Sequence, residues 1–251
     1  MRFKNKVVII TGAGGGQGRE EALLFAKEGA HVVVDDFNEE GANETVQLVK
    51  RQKTPGKVLV SYADVRDENE VKKMVADTIK QFKKIDVLVN NAGIYRGHSV
   101  PETKEEEWYE VIDTNIKGPF LCCKYVIPHM LKAKKGAIVN ISSIGAFIAL
   151  EGSATYAASK AGLVGFTRSL GLDLAPHGIR VNSVAPGWTN TPMIKPLLDD
   201  VNIRKALLAD IPANRFAEAE EQAQVVLWLA SDDSSYIYGQ TICNDGGWTL
   251  R

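Results

Sequence analysis

The sequence predicts an α/β fold, in which a doubly wound parallel sheet carries helices on both faces. Short apolar runs rich in β-branched residues recur along the chain, and such runs are typical of buried strands. Between them lie segments with apolar residues three and four positions apart, such as Val71, Met74, Val75 and Ile79. Strands that alternate with helices pair in parallel through right-handed crossovers. With 251 residues, 45% of them hydrophobic, we expect a single domain over residues 1–251.

Six apolar runs are predicted to be strands, and a helix is expected to follow each of the early ones. The first helix is expected to begin near Arg19, and a later one to span Thr155–Leu174. The stretch Thr189–Arg215 differs, because prolines interrupt it, and we interpret residues 188–215 as a mobile substrate lid. The predicted strands are Val7–Thr11, His31–Val34, Lys57–Tyr62, Ile85–Asn90, Ala137–Ser142 and Ile179–Val184.

Charge and composition exclude several classes of protein. With 30 Lys and Arg against 31 Asp and Glu, the net charge of −1 does not favour a nucleic-acid or membrane partner. No stretch approaches the roughly 20 apolar residues of a membrane-spanning helix. Three cysteines, with Cys122 and Cys123 adjacent, favour a reducing compartment, and the four histidines show no metal-ligand spacing. We therefore predict a cytoplasmic protein with a small-molecule partner and no metal.

A glycine-rich loop follows the first predicted strand. The residues Thr11-Gly12-Ala13-Gly14-Gly15-Gly16-Gln17-Gly18 connect this strand to a helix, where backbone amides and the helix N-terminus can hold a pyrophosphate. The strict G-x-G-x-x-G spacing fails because Gln17 takes the place of the third glycine, and a P-loop fails because Arg19 stands where Lys is needed. Dinucleotide binding by a Rossmann-type fold is favoured, and nucleoside triphosphatase chemistry is not.

The second predicted strand leads into Asp35-Asp36-Phe37, and Asp36 lies 18 residues beyond Gly18. An acid at this position can accept hydrogen bonds from the hydroxyls of an adenosine ribose. Its negative charge would repel a 2′-phosphate. The sequence therefore predicts NAD rather than NADP as the cofactor.

Tyr156 and Lys160 form the candidate acid–base pair. Their spacing of four places both side chains on one face of the predicted helix. At a separation of about 4 Å and an effective dielectric constant near 20, a lysine cation would stabilise a phenolate by roughly 4 kcal/mol, or about three pKa units. We therefore expect the pKa of Tyr156 to fall from about 10 towards 7, where the side chain can exchange a proton with substrate.

These motifs together resemble the short-chain dehydrogenase/reductase family over essentially the whole chain. The pattern T-G-x-x-x-G-x-G, the turn Asn90-Asn91-Ala92-Gly93 and Tyr156-x-x-x-Lys160 carry the resemblance. The resemblance implies that Asn115, Ser143, Tyr156 and Lys160 are catalytic, with Ser143 and Tyr156 contacting substrate. Ser142 is an alternative to Ser143, although the family's register favours the second serine.

The resemblance also implies the cofactor contacts. The ribose acceptor would be Asp36 rather than Asp35, while Gly15 and Phe37 occupy positions where NADP-preferring relatives often carry basic residues. Tyr156 and Lys160 would contact the cofactor as well as the substrate. The remaining contacts implied by the family are Gly12, Gly16, Gln17, Gly18, Asp64, Val65, Asn91, Ala92, Gly93, Pro186, Gly187, Thr189 and Thr191.

The sequence thus predicts an NAD(H)-dependent oxidoreductase that interconverts a secondary alcohol, or a sugar hydroxyl, and the corresponding ketone. Two alternatives remain open: a 3-oxoacyl-carrier-protein reductase and a non-catalytic NAD-binding regulator. The family usually assembles as tetramers, so the resemblance also implies a homotetramer.

Overall fold

The computed structural model describes residues 1–250 and contains the predicted doubly wound sheet. Seven parallel strands lie in the order β3-β2-β1-β4-β5-β6-β9, and a two-stranded parallel pair, β7 with β8, lies apart from them. The strands are β1 (Val7–Thr11), β2 (His31–Asp35), β3 (Val58–Ser61), β4 (Val87–Asn90), β5 (Gly136–Ile141), β6 (Ile179–Pro186), β7 (Thr189–Asn190), β8 (Ala217–Glu218) and β9 (Thr241–Asn244).

Nine α-helices accompany the strands in the part of the chain that the structure describes. The first begins at Gly16, three residues before the expected position near Arg19, so the helix N-terminus coincides with the glycine loop. The helices are α1 (Gly16–Lys27), α2 (Glu39–Arg51), α3 (Glu68–Phe82), α4 (Glu105–Ile112), α5 (Gly118–Ala133), α6 (Ala154–Leu174), α7 (Lys195–Leu198), α8 (Val201–Asp210) and α9 (Ala219–Ala230).

The apolar core lies on both faces of the sheet. Side chains of a strand alternate between faces, so that Val8 and Ile10 belong to one buried cluster and Ile9 to the other. The first cluster includes residues of α1, α2 and α9, and the second includes residues of α3 and α5. Burial on both faces explains the continuous apolar runs that predicted the strands.

The strand order determines where a ligand can bind. β1 pairs with β2 on one side and with β4 on the other, so the chain changes direction across the sheet at β1. In such sheets the carboxyl ends of the strands flank a crevice at this switch point. The glycine loop after β1 and the Asn91 turn after β4 meet at this crevice. Within residues 1–250, no helix is both long enough and apolar enough to cross a membrane.

Candidate active site

The glycine loop after β1 is packed so closely that side chains would not fit at two of its positions. Gly12 has a φ of +65°, and a Cβ there would lie 2.8 Å from Cα of Ala92. A Cβ at Gly18 would collide with the carbonyl oxygen of Gly12. Gly15, in contrast, faces open space. The loop therefore brings bare backbone to the crevice, which is the geometry that suits a bound pyrophosphate.

The two adjacent aspartates at the end of β2 have different surroundings. Asp35 is fully buried, accepts a hydrogen bond from the backbone N–H of Ala63 at 3.0 Å, and has its pKa raised to about 7 by burial. Asp36 is partly exposed and accepts backbone N–H groups from Gly14 at 2.8 Å and Asn38 at 2.9 Å. Asp36 is therefore anchored to the glycine loop and remains the more accessible of the two carboxylates.

The loop after β3 carries an ion pair at the crevice. Both carboxylate oxygens of Asp64 accept hydrogen bonds from the Arg66 guanidinium, at 2.6 to 3.0 Å. This contact lowers the pKa of Asp64, which keeps the carboxylate ionised. Asp64 and the buried Val65 line the same cavity as the glycine loop.

The Asn91 turn after β4 holds β1 and β4 together. The side-chain amide of Asn91 donates to the carbonyl oxygens of Thr11 at 2.9 Å and Gly12 at 3.0 Å. The N–H of Ala92 donates to the Thr11 hydroxyl at 3.1 Å. The Asn91 side chain therefore positions the glycine loop, which is a role that the motif alone did not predict.

Ser143 and Tyr156 form the polar centre at the other end of the cavity. The Ser143 hydroxyl lies close enough to the Tyr156 phenol to lower its pKa, and Ser143 accepts the N–H of Gly145 at 3.1 Å. The neighbouring hydroxyl of Ser142 is directed elsewhere, because it donates to the backbone carbonyl of Lys160 at 2.9 Å. This geometry selects Ser143 over the Ser142 alternative.

The expected pKa of Tyr156 was wrong in direction. Burial raises the pKa of Tyr156 above its usual value of 10, although the nearby Ser143 hydroxyl opposes this rise. Burial also lowers the pKa of Lys160 to about 8. The Lys160 ammonium lies 5.6 Å from the centre of the Tyr156 ring and donates to the carbonyl of Ile141 at 2.8 Å. Loss of water is the largest cause of both shifts, so the phenol is neutral at pH 7.

Asn115 lies in a π-helical turn, Asp113–Lys117, between α4 and α5. Its amide N–H groups donate to the carbonyl of Ile94 and to the Ser159 hydroxyl, both at 3.0 Å, and its oxygen accepts the N–H of Ile94 at 2.9 Å. Gly93 lies between Asn115 and Lys160. A Cβ at this position would lie 3.2 Å from the lysine nitrogen, which leaves little room for a side chain. Asn115 thus fastens the loop after β4 to α6 beside Lys160.

A cavity of about 580 Å³ joins these groups, a size typical of small-molecule sites. All predicted site residues line it except Gly18, which packs behind the loop, and Asn115, which lies behind Gly93. The predicted residues that line it are Gly12, Gly15, Gly16, Gln17, Asp36, Phe37, Asp64, Val65, Asn91, Ala92, Gly93, Ser143, Tyr156, Lys160, Pro186, Gly187, Thr189 and Thr191.

Tyr95 is the most informative cavity residue that the sequence analysis did not single out. Its ring packs edge-on against Tyr156, with centroids 5.2 Å apart, and its hydroxyl lies 3.1 Å from that of the buried Ser153. No motif marks this position, so only its place directly after Ile94, in the loop that follows the Asn91 turn, could have suggested it.

The segment after β6 forms the remaining wall. Thr189 and Thr191 both line the cavity, and the buried Thr189 donates its hydroxyl to the carbonyl of Gly187 at 3.0 Å. Trp188 also lines the cavity, and its indole N–H is buried without a partner in residues 1–250. The predicted lid contains α7 and α8, and its cavity-lining part ends at Leu197. Its mobility stays a prediction.

His98 lies beside a carboxylate, and the three cysteines are free thiols. His98 pairs with Glu107 at 3.1 Å, and residues 1–250 contain no group of three or more His, Cys, Asp or Glu side chains arranged to hold a metal. Cys122 and Cys123 are buried free thiols, and Cys243 is an exposed one.

Comparisons with known proteins agree with this geometry. A family model described as enoyl-(acyl carrier protein) reductase matches residues 12–249. A 3-oxoacyl-[acyl-carrier-protein] reductase, FabG, of Thermotoga maritima is 44% identical over 247 residues, which cover 98% of this chain and 99% of that protein.

Two solved structures have nearly the same fold. Levodione reductase superposes with a TM-score of 0.94 and 37% identity, covering 99% of both chains. A structure described as an NAD(P)-dependent gluconate 5-dehydrogenase of Beutenbergia cavernae, with NADP bound at low occupancy, has a TM-score of 0.93 and 33% identity. The comparison covers 99% of this chain and 98% of that one. The chain therefore belongs to the short-chain dehydrogenase/reductase family of nicotinamide-dependent oxidoreductases, which act on CH–OH groups.

Proposed function

We propose that this enzyme interconverts a secondary alcohol and its ketone with NAD(H), using Tyr156 as the general acid and base. The observation that carries the proposal is the grouping of Ser143 and Tyr156 beside Lys160, in the same cavity as the glycine loop. A reduced nicotinamide bound there would supply the hydride.

In the reductive direction, the hydroxyls of Ser143 and Tyr156 donate hydrogen bonds to the substrate carbonyl oxygen. As the substrate oxygen gains negative charge, Tyr156 gives its phenolic proton to that oxygen. Lys160 stabilises the resulting phenolate and would grip the nicotinamide ribose, while Asn115 keeps the adjacent loop in place and would sustain proton return. Because burial raises the pKa of Tyr156, the proton donor for reduction is present at neutral pH.

The choice of NAD over NADP rests on Asp36. Its carboxylate is anchored by Gly14 and Asn38 at the cavity, where it would meet a 2′-phosphate. Arg19 beside the glycine loop is already paired with Glu44, and Arg66 in the cavity is paired with Asp64. The gluconate 5-dehydrogenase structure with bound NADP is the observation that favours the other cofactor.

Asp36→Asn is expected to raise the ratio of kcat/KM with NADPH to that with NADH by about 10- to 100-fold. The change removes the carboxylate charge but keeps a similar shape, and one charge–charge contact near a protein surface contributes a few kcal/mol. Dissociation constants of both reduced cofactors, measured by nicotinamide fluorescence, check the result without turnover. Glu39→Gln on the exposed start of α2 is the matched control. Equal use of both cofactors by the wild-type enzyme would contradict the NAD assignment.

A second candidate function is reduction of a 3-oxoacyl group carried by acyl carrier protein. The 44% identical FabG of Thermotoga maritima favours this function. The names of the relatives therefore support a 3-oxoacyl substrate more strongly than a small alcohol or sugar. The acidic surface of α4, with Glu105, Glu106 and Glu107 in its first turn, does not favour docking of an acidic carrier there.

Initial rates with a 3-oxoacyl thioester, cyclic diketones, small ketones and ketosugars, each with NADH and NADPH, separate the candidates. A kcat/KM at least tenfold higher for the thioester would establish the second candidate. Inactivity on every substrate would instead support an NAD-binding regulator, which the intact arrangement of Ser143, Tyr156 and Lys160 does not favour.

We also propose a homotetramer by analogy with the family, and a monomeric mass in sedimentation equilibrium would contradict it.

A further inference from the structure

Glu21 is a fully buried carboxyl group in α1, the helix that starts at the glycine loop. α1 packs against α9, and the surrounding positions Ala22 and Phe25 belong to the apolar core. Burial raises the pKa of Glu21 to about 8, which keeps the carboxyl neutral at pH 7. A polar group in such a contact lowers stability unless its hydrogen bonds are satisfied.

The hydrogen bonding of Glu21 is only half satisfied. Its Oε1 accepts the side-chain N–H of Gln17, one helical turn earlier, at 2.9 Å. Its Oε2 is buried and has no partner in residues 1–250. An apolar side chain would suit this fully buried position better, so folding alone does not account for a carboxyl group here.

The partner of Glu21 is a residue of the cofactor cavity. Gln17 lies at the first turn of α1, next to the open backbone of Gly15, and lines the cavity. Glu21 itself does not line it. A free glutamine side chain has several rotamers, and a hydrogen bond from one turn below selects one of them. The amide oxygen of Gln17 and its second N–H remain available to a bound ligand.

We propose that Glu21 is a positioning residue for cofactor binding, which fixes the Gln17 amide in the cavity at the expense of the stability of the fold. This inference rests on the proposed nicotinamide site. By this proposal, the hydrogen-bonded pair of Gln17 and Glu21 lowers the stability of the protein but supports cofactor binding.

The test measures stability and cofactor affinity in the same variants. Glu21→Leu is expected to raise the Tm of the cofactor-free protein by at least about 2 °C, because it removes the unpaired buried oxygen. The same variant is expected to weaken NADH binding by about 5- to 20-fold, with kcat at saturating cofactor changed less than about twofold. Glu21→Gln keeps an oxygen for the Gln17 amide, so its Kd for NADH should stay within about twofold of wild type.

Further variants make the result specific. Gln17→Leu should weaken NADH binding as much as Glu21→Leu, and the double variant should lose no more than either, because both changes remove one interaction. Glu20→Gln, on the partly exposed neighbouring position, should change neither quantity. If Glu21→Leu does not fold, Glu21→Met replaces it, since methionine adapts to irregular space.

A lower Tm with unchanged NADH affinity in the apolar variant would overturn the inference and make Glu21 structural only. Additive losses in the double variant would overturn it as well. Failure of the wild-type protein to bind NADH or NADPH would count against the proposed function instead, so the two failures are distinguishable.

Discussion

Tyr156→Phe is expected to lower kcat by about 10²- to 10⁴-fold, the usual contribution of a positioned general acid or base. Phenylalanine retains the ring that packs against Tyr95 but removes the hydroxyl that lies near Ser143. The Kd for NADH should stay within about fivefold, because a neutral hydrogen bond contributes only about 1 kcal/mol. Steady-state rates and nicotinamide fluorescence measure the two quantities separately.

Tyr95→Phe is the matched control for this variant. It removes a hydroxyl of the same kind from an adjacent ring, whose partner is Ser153 rather than the reacting oxygen. We expect kcat to change less than about fivefold, since only one neutral hydrogen bond is lost. Turnover by Tyr156→Phe close to the wild-type rate would mean that another group transfers the proton.

Lys160→Met is expected to move the pH dependence of alcohol oxidation upwards by one to two pH units. Oxidation requires the phenolate of Tyr156, so the rate rises with pH as the phenol loses its proton. At 5.6 Å from the ring centre, the lysine cation stabilises that phenolate by about 3 kcal/mol at an effective dielectric constant of 20. Without the cation, burial alone sets the pKa of Tyr156, and burial raises it.

The measurement is kcat/KM for alcohol oxidation between pH 6 and 10. At pH 7 to 8 the loss should be about 10- to 100-fold, corresponding to the shift in the phenol's pKa. Lys160→Arg keeps the positive charge and should retain most of the wild-type profile. Because the two groups titrate together, the midpoint belongs to the pair rather than to either residue. A profile that falls in amplitude but does not move along the pH axis would contradict this role for Lys160.

Much of the fold could be predicted from local patterns. Buried parallel strands must be apolar along their length, so the runs at Val7–Thr11 and Ile179–Val184 identified two strands of the sheet, β1 and β6. The stretch 189–215 was harder to predict, because its helices α7 and α8 are short and prolines lie at the start of α7 and after α8. The pair of β7 with β8 joins residues 28 positions apart, which no local pattern reports.

In the candidate site, too, some residues could be predicted from local sequence and others could not. A spacing of four placed Tyr156 and Lys160 on one helix face, and the glycine pattern located the loop at the crevice. The sequence did not identify Tyr95 or the pair of Gln17 with Glu21. Neither belongs to a motif, and their importance comes from neighbours that the fold brings together.

The sequence by itself determined the α/β architecture, the family and the residues that meet at the carboxyl ends of the strands. These follow from periodicity, chain chirality and short-range spacing, which are written in consecutive residues. Only the tertiary structure decided that Ser143 rather than Ser142 faces Tyr156, and that burial raises the pKa of this phenol. Desolvation depends on every element that covers a group, so it cannot be obtained from the spacing of two residues along a helix.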